Sequence, residues 1–429
     1  MSQEIQRLLG AASLAQQRGD TAAAVQALEQ VLKADPRNPH ALNSLGMRAL
    51  ADNDPARALP LFRAAAEADP REPALWLNVA KAQRLMQDDE GEKASLEAAL
   101  AIDRRHFMAL LRKAELHERR GERHDAAEAW NGVAALADQA GDLPPGLVEV
   151  VDHGRAYLDT HRRELGEVLD SGLAAFREGL SKTERHRFDA CIDASVGRRR
   201  IYANECHGVH YPFLPAYEFF GREHFPWMAA FEAKAGAIRA ELEAAMAQGG
   251  KGLRPYVAQQ SGTPENKWSP LDNSLDWGAM FLWEYGIRDE ALCAHFPETV
   301  AALEAVPQSD IPGRAPTAFF SLLKPRTHIP PHTGVTNLRT IIHLPLIVPD
   351  GCRFRVGGET RPWVEGEAFA FDDTIEHEAW NDSDELRAVL IFDVWNPFLT
   401  EAERQALRLM FEVSDASGFG PPRPAGAGF

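Results

Sequence analysis

Two histidines and one arginine lie in segments whose other residues are mostly apolar. His332 follows two prolines in Pro-Pro-His-Thr-Gly, His377 lies in Ile-Glu-His-Glu, and Arg387 precedes an apolar run ten residues later. Neutral imidazole rings bind divalent first-row metal ions, and on ligand type alone iron, zinc and copper are all candidates. A buried guanidinium needs an anionic partner, and its planar fork suits a carboxylate. Together these residues predict a metal site beside an anion site.

The segments around these residues have the composition that is typical of β-strands. Short β-branched and aromatic runs alternate with turn signals, and the runs are TAFFSLL, NLRTIIHLPLIVP, CRFRVGG, ETRPWVEGEAFAF and ELRAVLIFDVW. Gly357-Gly358 between two alternating runs indicates a hairpin. Several antiparallel strands at short spacing predict a jelly roll, also called a double-stranded β-helix or cupin-like barrel. Alternation along the last run places Arg387 inside this barrel, on the face opposite to Ala388.

The N-terminal third of the chain is repetitive, with a period of 34 residues. Ala-Asp-Pro occurs at 34–36 and again at 68–70. Aligned columns hold large residues (Leu28, Phe62, Leu96, Trp130), small residues (Ala12, Gly46, Ala80, Ala114) and turn residues (Gly19, Asn53, Gln87, Gly121). Small residues facing large ones at this period are typical of paired antiparallel helices, and the segment resembles tetratricopeptide repeats.

Such repeats stack into a superhelix whose concave face commonly binds a peptide or a partner protein. We therefore expect the repeats to recruit a peptide or protein substrate. The alternative is an array that only packs on the rest of the chain or mediates self-association. The sequence does not predict the oligomeric state.

Changes in residue composition and pattern along the sequence divide the chain into four parts. We predict an α-helical tetratricopeptide-repeat superhelix at 1–138 and a helical linking and capping region at 139–195. A β-rich domain follows at 196–414, with one helical stretch, FEAKAGAIRAELEAAMAQ, near its start. The last part, 415–429, is rich in Gly and Pro and predicts a flexible tail.

Composition limits the classes of partner. The chain of 429 residues has 46 Lys and Arg against 63 Asp and Glu, a net charge of −17, which argues against binding to nucleic acid or to an anionic membrane. No apolar stretch is long enough to span a bilayer, and the N-terminal segment lacks a secretory pattern. The four cysteines form no Cys-x-x-Cys pair and predict reduced thiols. We expect a cytoplasmic protein.

From Asp276 to Pro397 the chain resembles the aspartyl/asparaginyl β-hydroxylase family. The resemblance is carried by DWGAMFLWEYG, HFPET, HIPPHTGVTNLR, HLPLIVP, GCRFRVGGETRPWVEGEAFAFDDTIEHEAWN and LRAVLIFDVWNP. Weaker likeness begins near Tyr211. The joining of tetratricopeptide-like repeats to this domain also resembles the animal members of the family.

The resemblance implies an Fe(II)- and 2-oxoglutarate-dependent oxygenase that uses O2 to hydroxylate the β-carbon of Asp or Asn residues, with succinate and CO2 as coproducts. It implies that His332 and His377 bind the iron. Arg387 and Ser321 would hold the distal carboxylate of 2-oxoglutarate, and His343 would contact the carboxylate nearer the iron. In such enzymes the metal and cosubstrate supply the reactive chemistry, while the protein fixes geometry and excludes water.

Three further positions concern the metal coordination and the substrate. Most related oxygenases add a carboxylate ligand two residues after the first histidine, where this chain has Gly334, and the family shares that absence. The resemblance implies that Arg339 grips the acidic side chain of the substrate. Two residues later the vertebrate hydroxylases have a second arginine and this chain has Ile341, which leaves the choice between Asp and Asn open.

Three other functions remain alternatives. A related oxygenase could act on a small molecule or a lipid headgroup, since the wider family includes lipid A hydroxylases. A halogenase could use the open ligand position at Gly334 to bind chloride. A non-catalytic scaffold would bind partners only through the repeats.

Overall fold

The computed structural model describes residues 3–417, and contacts divide the chain into two compact units, Met1–Gly197 and Arg198–Phe429. Most of the tail predicted at 415–429 lies outside the described residues, whereas residues 415–417 form the end of the last helix. No helix within 3–417 is both long enough and apolar enough to cross a membrane.

The first unit is helical over its described length. Its helices are α1 (Gln3–Gln17), α2 (Thr21–Ala34), α3 (Pro39–Ala51), α4 (Pro55–Ala68), α5 (Pro73–Leu85), α6 (Asp89–Ile102), α7 (Phe107–Arg119), α8 (Arg123–Ala140), α9 (Pro145–Gly172), α10 (Ala174–Glu178) and α11 (Lys182–Ser195). Neighbours from α1 to α8 pack as helical pairs. This arrangement confirms the predicted helical repeats.

The 34-residue period is visible in the turns of these pairs. The turn residues Gly19, Asn53, Gln87 and Gly121 all have left-handed φ values, of 76°, 59°, 59° and 71°. Each is followed by an acidic residue, and Asp20, Asp54 and Asp88 accept hydrogen bonds of 3.0, 2.9 and 3.0 Å from the backbone N–H three residues on. These carboxylates cap the second helix of each pair by satisfying a free N–H group. The repeated turn therefore has a repeated physical cause.

The column of small residues lets the two helices of a pair approach closely. A Cβ atom added at Gly46 on α3 would lie 2.5 Å from the ring of Phe62 on α4, which is fully buried. A larger residue at 46 would therefore push the ring away. The predicted pairing of small with large residues is confirmed here.

The second unit combines two antiparallel sheets with a few helices. Its helices are α12 (Met228–Glu232), α13 (Ala235–Ala247), α14 (Glu290–Cys293), α15 (Pro297–Glu304) and α16 (Glu401–Ser417). Its strands are β1 (Arg254–Pro255), β2 (Trp277–Glu284), β3 (Ile287–Arg288), β4 (Ala318–Leu323), β5 (Thr327–His332), β6 (Arg339–Ile347), β7 (Cys352–Val356), β8 (Glu359–Pro362), β9 (Phe369–Phe371), β10 (His377–Asn381) and β11 (Arg387–Trp395).

The larger sheet has the order β1-β2-β4-β11-β6-β9, with β3 beside β2, and the smaller sheet has the order β5-β10-β7-β8. From β4 to β11 the chain crosses between the two sheets at nearly every connection, which is the topology of a jelly roll. The exception is the β7–β8 hairpin, in which Val356 pairs with Glu359 across the predicted Gly357-Gly358 turn.

Alternation along the central strands separates two cores. On β11, Val389 and Ile391 belong to the core between the sheets, while Ala388 and Leu390 pack with helices α12, α13 and α15 on the outer face. A strand buried on both faces reads as a continuous apolar run. Arg387 shares the inner face, as the sequence predicted.

Candidate active site

The two predicted metal ligands face each other across neighbouring strands. His332 ends β5, His377 begins β10, and the two residues are direct partners in the antiparallel register. Their ring centroids are 4.0 Å apart. The histidines are 45 residues apart in sequence, and only the pairing of the two strands brings them together.

Hydrogen bonds determine which ring nitrogens remain for a metal. His332 Nδ1 lies 2.8 Å from the carbonyl oxygen of Pro330, and His377 Nδ1 lies 3.0 Å from that of Ile375. A carbonyl only accepts, so each Nδ1 carries the proton and each Nε2 keeps a free lone pair. Burial lowers the pKa of His332 to about 4, and burial together with the neighbouring His332 lowers that of His377 well below its usual value. Both rings are therefore neutral, as metal binding requires.

No carboxylate joins this pair as a third ligand among residues 3–417, where three metal-binding side chains converge only at His117, Glu122 and Asp125 in the repeats. The space beside Gly334 is filled by Asp373. A Cβ atom added at Gly334 would collide with both carboxylate oxygens of Asp373, and Gly334 N–H donates to the Asp373 carbonyl oxygen. A side chain at position 334 would therefore force the carboxylate of Asp373 to move.

Arg387 is a buried cation with no carboxylate beside it. Its side chain is 1% exposed, and no Asp or Glu oxygen within the described residues forms an ion pair with it. Its Nη1 donates to Ser321 Oγ at 3.2 Å, and Trp277 Nε1 donates to the same oxygen at 3.1 Å. Ser321 Oγ receives both bonds, so its own proton is free to donate to a ligand. Burial lowers the pKa of Arg387 to about 10. This cation lacks the anionic partner that burial normally demands.

His343 lies on β6 within an aromatic cluster. Its ring is stacked on Trp363 with a centroid distance of 5.4 Å and an interplanar angle of 5°, and the Arg387 guanidinium lies 5.1 Å from the same indole ring. Burial, with the nearby charge of Arg387, lowers the pKa of His343 well below its usual value. The indole of Trp363 therefore packs against both the neutral imidazole and the guanidinium.

Arg339, at the start of β6, is already paired within the protein. Its Nη1 donates to Asp393 Oδ2 at 2.8 Å, and its Nη2 lies 3.9 Å from Asp373 Oδ2. Burial raises the pKa of Asp393 to about 6 and that of Asp373 to about 7, although Arg339 opposes both shifts. Arg339, the predicted substrate-binding arginine, therefore already interacts with the buried carboxyl groups of Asp393 and Asp373.

One cavity of about 530 Å³ connects these groups. The six predicted residues, His332, His377, Arg387, Ser321, His343 and Arg339, all line it, as do Gly334 and Ile341. Four aromatic residues of its wall, Tyr256, Trp268, Trp277 and Trp363, were not among the predicted site residues. Trp277 lies on β2, which is apolar on both faces, so alternation does not show which of its side chains point inward. Trp268 lies in a loop whose course no local pattern predicts.

Two family models match this chain. Residues 232–397 match the family model described as aspartyl/asparaginyl beta-hydroxylase, and residues 9–73 and 43–92 match that of the tetratricopeptide repeat. A crystal structure of the MamA protein aligns with 42% of this chain and 98% of its own, at 17% identity and a TM-score of 0.30.

Three curated relatives illustrate the similarity. The human aspartyl/asparaginyl beta-hydroxylase is 41% identical over 143 residues, which is 32% of this chain and 19% of that protein. The ornithine lipid ester-linked acyl 2-hydroxylase of Rhizobium tropici is 35% identical over 181 residues, or 42% of this chain and 60% of that protein. The human aspartate beta-hydroxylase domain-containing protein 2 is 36% identical over 141 residues, which is 32% of this chain and 38% of that protein.

The matched segment spans about a fifth of the length of the human and mouse hydroxylases (19% of each). The range matched by the hydroxylase family model, 232–397, includes His332, His377 and Arg387. It also includes the strands from β1 to β11. Residues 232–397 are therefore similar to the aspartyl/asparaginyl beta-hydroxylase family, in a chain whose N-terminal segment also matches tetratricopeptide repeats.

Proposed function

We propose that the protein is an Fe(II)- and 2-oxoglutarate-dependent dioxygenase that hydroxylates the β-carbon of Asp or Asn residues in a peptide or protein. The supporting observation is the pair of neutral imidazoles, His332 and His377, opening onto the same cavity as the unpaired Arg387. When bound, iron and 2-oxoglutarate activate O2, so that one oxygen atom enters the substrate C–H bond while 2-oxoglutarate becomes succinate and CO2.

The residues present fit this pair of groups. His332 and His377 would hold the iron through their Nε2 atoms. Arg387 and Ser321 would hold the distal carboxylate of 2-oxoglutarate, which supplies the anion that the buried guanidinium lacks. His343, held by Trp363, would contact the carboxylate nearer the iron. The aromatic wall excludes water from the reacting atoms.

Anaerobic titration with Fe(II) and 2-oxoglutarate tests this assignment, because the chelate has a visible charge-transfer band. We expect the band in the wild type, none in His377→Ala, and a much weaker one in Arg387→Ala at equal 2-oxoglutarate. His328→Ala is the matched control, since His328 lies on the same strand as His332 but stacks on Trp380 outside the cavity. A folded wild type without any band would contradict the proposal.

A second candidate follows from the Rhizobium relative, whose name states hydroxylation of an acyl chain at carbon 2. That carbon and the β-carbon of Asp or Asn share one chemical feature, since each is a CH2 group next to a carbonyl. The apolar, aromatic wall formed by Phe281, Phe319 and Tyr256 would accept an acyl chain. Mass analysis of ester-linked lipids incubated with the protein distinguishes this candidate from the peptide hydroxylase.

We also propose that the repeats recruit the substrate in the cytoplasm. A groove on this unit is lined by Trp130, His153 and paired charges such as Arg84 with Glu115, a mixed surface that suits a polar peptide. The four cysteines are free thiols, which suits a reducing compartment. Substitutions in the groove should raise the KM for a protein substrate and leave the Fe(II)–2-oxoglutarate band unchanged.

A further inference from the structure

The charge around Arg339 is already balanced. Its ion pair with Asp393 is 2.8 Å long, the Asp393 side chain is 1% exposed, and Asp373 lies 3.9 Å away on the other side. Arg339 and Asp393 lie on the inner faces of β6 and β11, where diagonal neighbours are within reach of each other. An incoming anion would therefore meet a cation that is already compensated.

Among the described residues, the cavity offers no second free buried cation. Its lining contains three cations (Lys267, Arg339, Arg387) and three acidic residues (Glu284, Asp373, Asp393), of which Glu284 is paired with Arg254 at 2.6 Å. The proposed function assigns Arg387 to 2-oxoglutarate. Lys267 is exposed, with its Nζ donating to the Pro331 carbonyl oxygen at 2.6 Å, and its charge is screened by solvent.

The next inward residue after Arg339 adds no charge. Ile341 is 9% exposed and lines the cavity between Arg339 and His343. A substrate carboxylate placed here would lose its hydration without gaining a free cation, and burial of such an uncompensated charge is strongly unfavourable.

An uncharged carboxamide fits the same surroundings. Arg339 Nε, a donor, and the Oδ1 atoms of Asp373 and Asp393, both acceptors, have no hydrogen-bond partner within the described residues. A carboxamide offers an oxygen that accepts and an NH2 group that donates, whereas a carboxylate only accepts.

We propose that the residue hydroxylated by this protein is asparagine rather than aspartate, with its side-chain amide bound between Arg339 and the carboxylates of Asp373 and Asp393. This inference rests on the proposed function and narrows its substrate. The reaction is unchanged: the β-carbon gains one oxygen atom from O2, and 2-oxoglutarate is converted to succinate and CO2.

Two pools of peptides with blocked termini and the same degenerate flanks, one with a fixed central Asn and the other with a fixed central Asp, test the inference. Each pool is incubated with the full chain, Fe(II), 2-oxoglutarate and O2, and the hydroxylated fraction is measured by mass spectrometry. We expect the Asn pool to be modified at least about tenfold faster than the Asp pool. Vesicles containing ester-linked lipids form a third arm.

Substitution at position 341 isolates the effect of charge. Ile341→Arg supplies an uncompensated cation and should shift the preference towards the Asp pool, whereas Ile341→Gln adds a polar side chain without charge and should keep the preference for Asn. Both variants should retain the Fe(II)–2-oxoglutarate band.

Equal or faster modification of the Asp pool by the wild type would overturn the inference. Modification of the lipids alone, or of neither pool by a protein that forms the band, would overturn it as well. Absence of the band in the wild type would instead contradict the proposed function, so the two failures are distinguishable.

Discussion

The carboxylate of Asp373 occupies the space that a side chain at Gly334 would otherwise fill. The carboxylate of Asp373 lies where the Cβ atom of any other residue at 334 would have to be. At the position that holds a metal-binding carboxylate in most related oxygenases, a side chain would therefore displace the carboxylate of Asp373, which lies in the β9–β10 connection.

Gly334→Ala should lower the free energy of unfolding of the second unit by about 1–3 kcal/mol, because the added methyl group would force the buried side chain of Asp373 to move. Asp373→Ala removes the colliding atoms, so the double variant should recover part of that loss. Chemical denaturation of the four proteins measures the coupling. Gly10→Ala, at a helical site with nothing within 4 Å of the added Cβ, is the control and should be neutral or stabilising. Additive losses at 334 and 373 would contradict this account.

Arg387→Met should separate stability from binding. The guanidinium is buried without a carboxylate, so an apolar residue of similar length should leave the cosubstrate-free protein equally stable or more stable, by up to about 3 kcal/mol. The same variant should lose the rise in Tm that 2-oxoglutarate produces in the wild type. Thermal unfolding with and without 2-oxoglutarate measures both effects, and Arg326→Met, at an exposed arginine, is the control. A large loss of stability without ligand would show that Arg387 has a structural partner.

Asp373 should make the stability of the metal-free protein depend on pH. Burial raises its pKa from 3.8 to about 7 in the folded state, so the folded protein binds this proton more tightly than the unfolded chain. The contribution of Asp373 to the unfolding free energy therefore falls as the pH rises from about 4 to about 7, by at most about 1.4 kcal/mol per pH unit.

Asp373→Asn removes the titrating group. Its unfolding free energy should exceed that of the wild type by a margin that grows over the same pH range, as measured by urea unfolding with a chelator present. Asp384→Asn, at an exposed carboxylate, should show no such growth. A constant difference between Asp373→Asn and the wild type would count against a raised pKa.

The repeats allow a test of helix capping. Asp54→Ala should lower the free energy of unfolding of the first unit by about 1 kcal/mol, because the hydrogen bond to Arg57 N–H is lost. Asp54→Asn keeps an accepting oxygen and should retain most of the stability. Circular dichroism during denaturation measures the difference, and equal losses in both variants would point to the charge of Asp54 rather than to the cap.

Local patterns in the sequence account for most of the architecture. The 34-residue columns predicted the helical pairs, and the strand-like runs predicted β4, β6, β7 and β11. The single predicted run ETRPWVEGEAFAF is divided in the structure into β8 and β9, which belong to different sheets. The two strands that bear the histidines were not among these runs. β5 contains Pro330 and Pro331, which are unusual in strands but tolerated here because β5 lies at the edge of its sheet. β10 has only five residues, too few for a clear alternation.

The sequence predicts the position of a site residue where that position depends on the pattern within one strand alone. Alternation along β11 was sufficient to place Arg387 inside the barrel. The pairing of Arg339 with Asp393 depends on the register between β6 and β11, and its approach to Asp373 depends on a connection elsewhere in the chain. Such long-range relationships have no signature in a local pattern.

The strict division of faces along β6 and β11 limits how this site can evolve. A single inserted or deleted residue that shifts the pairing of either strand would exchange the inner and outer side chains beyond it and would bring Ala388 or Leu390 to the inner face. Such a change of length therefore disturbs both cores at once. New substrate preferences must arise by replacement of alternate residues, and Ile341 and Ile391 are positions where one codon change can alter the cavity and leave the outer core intact.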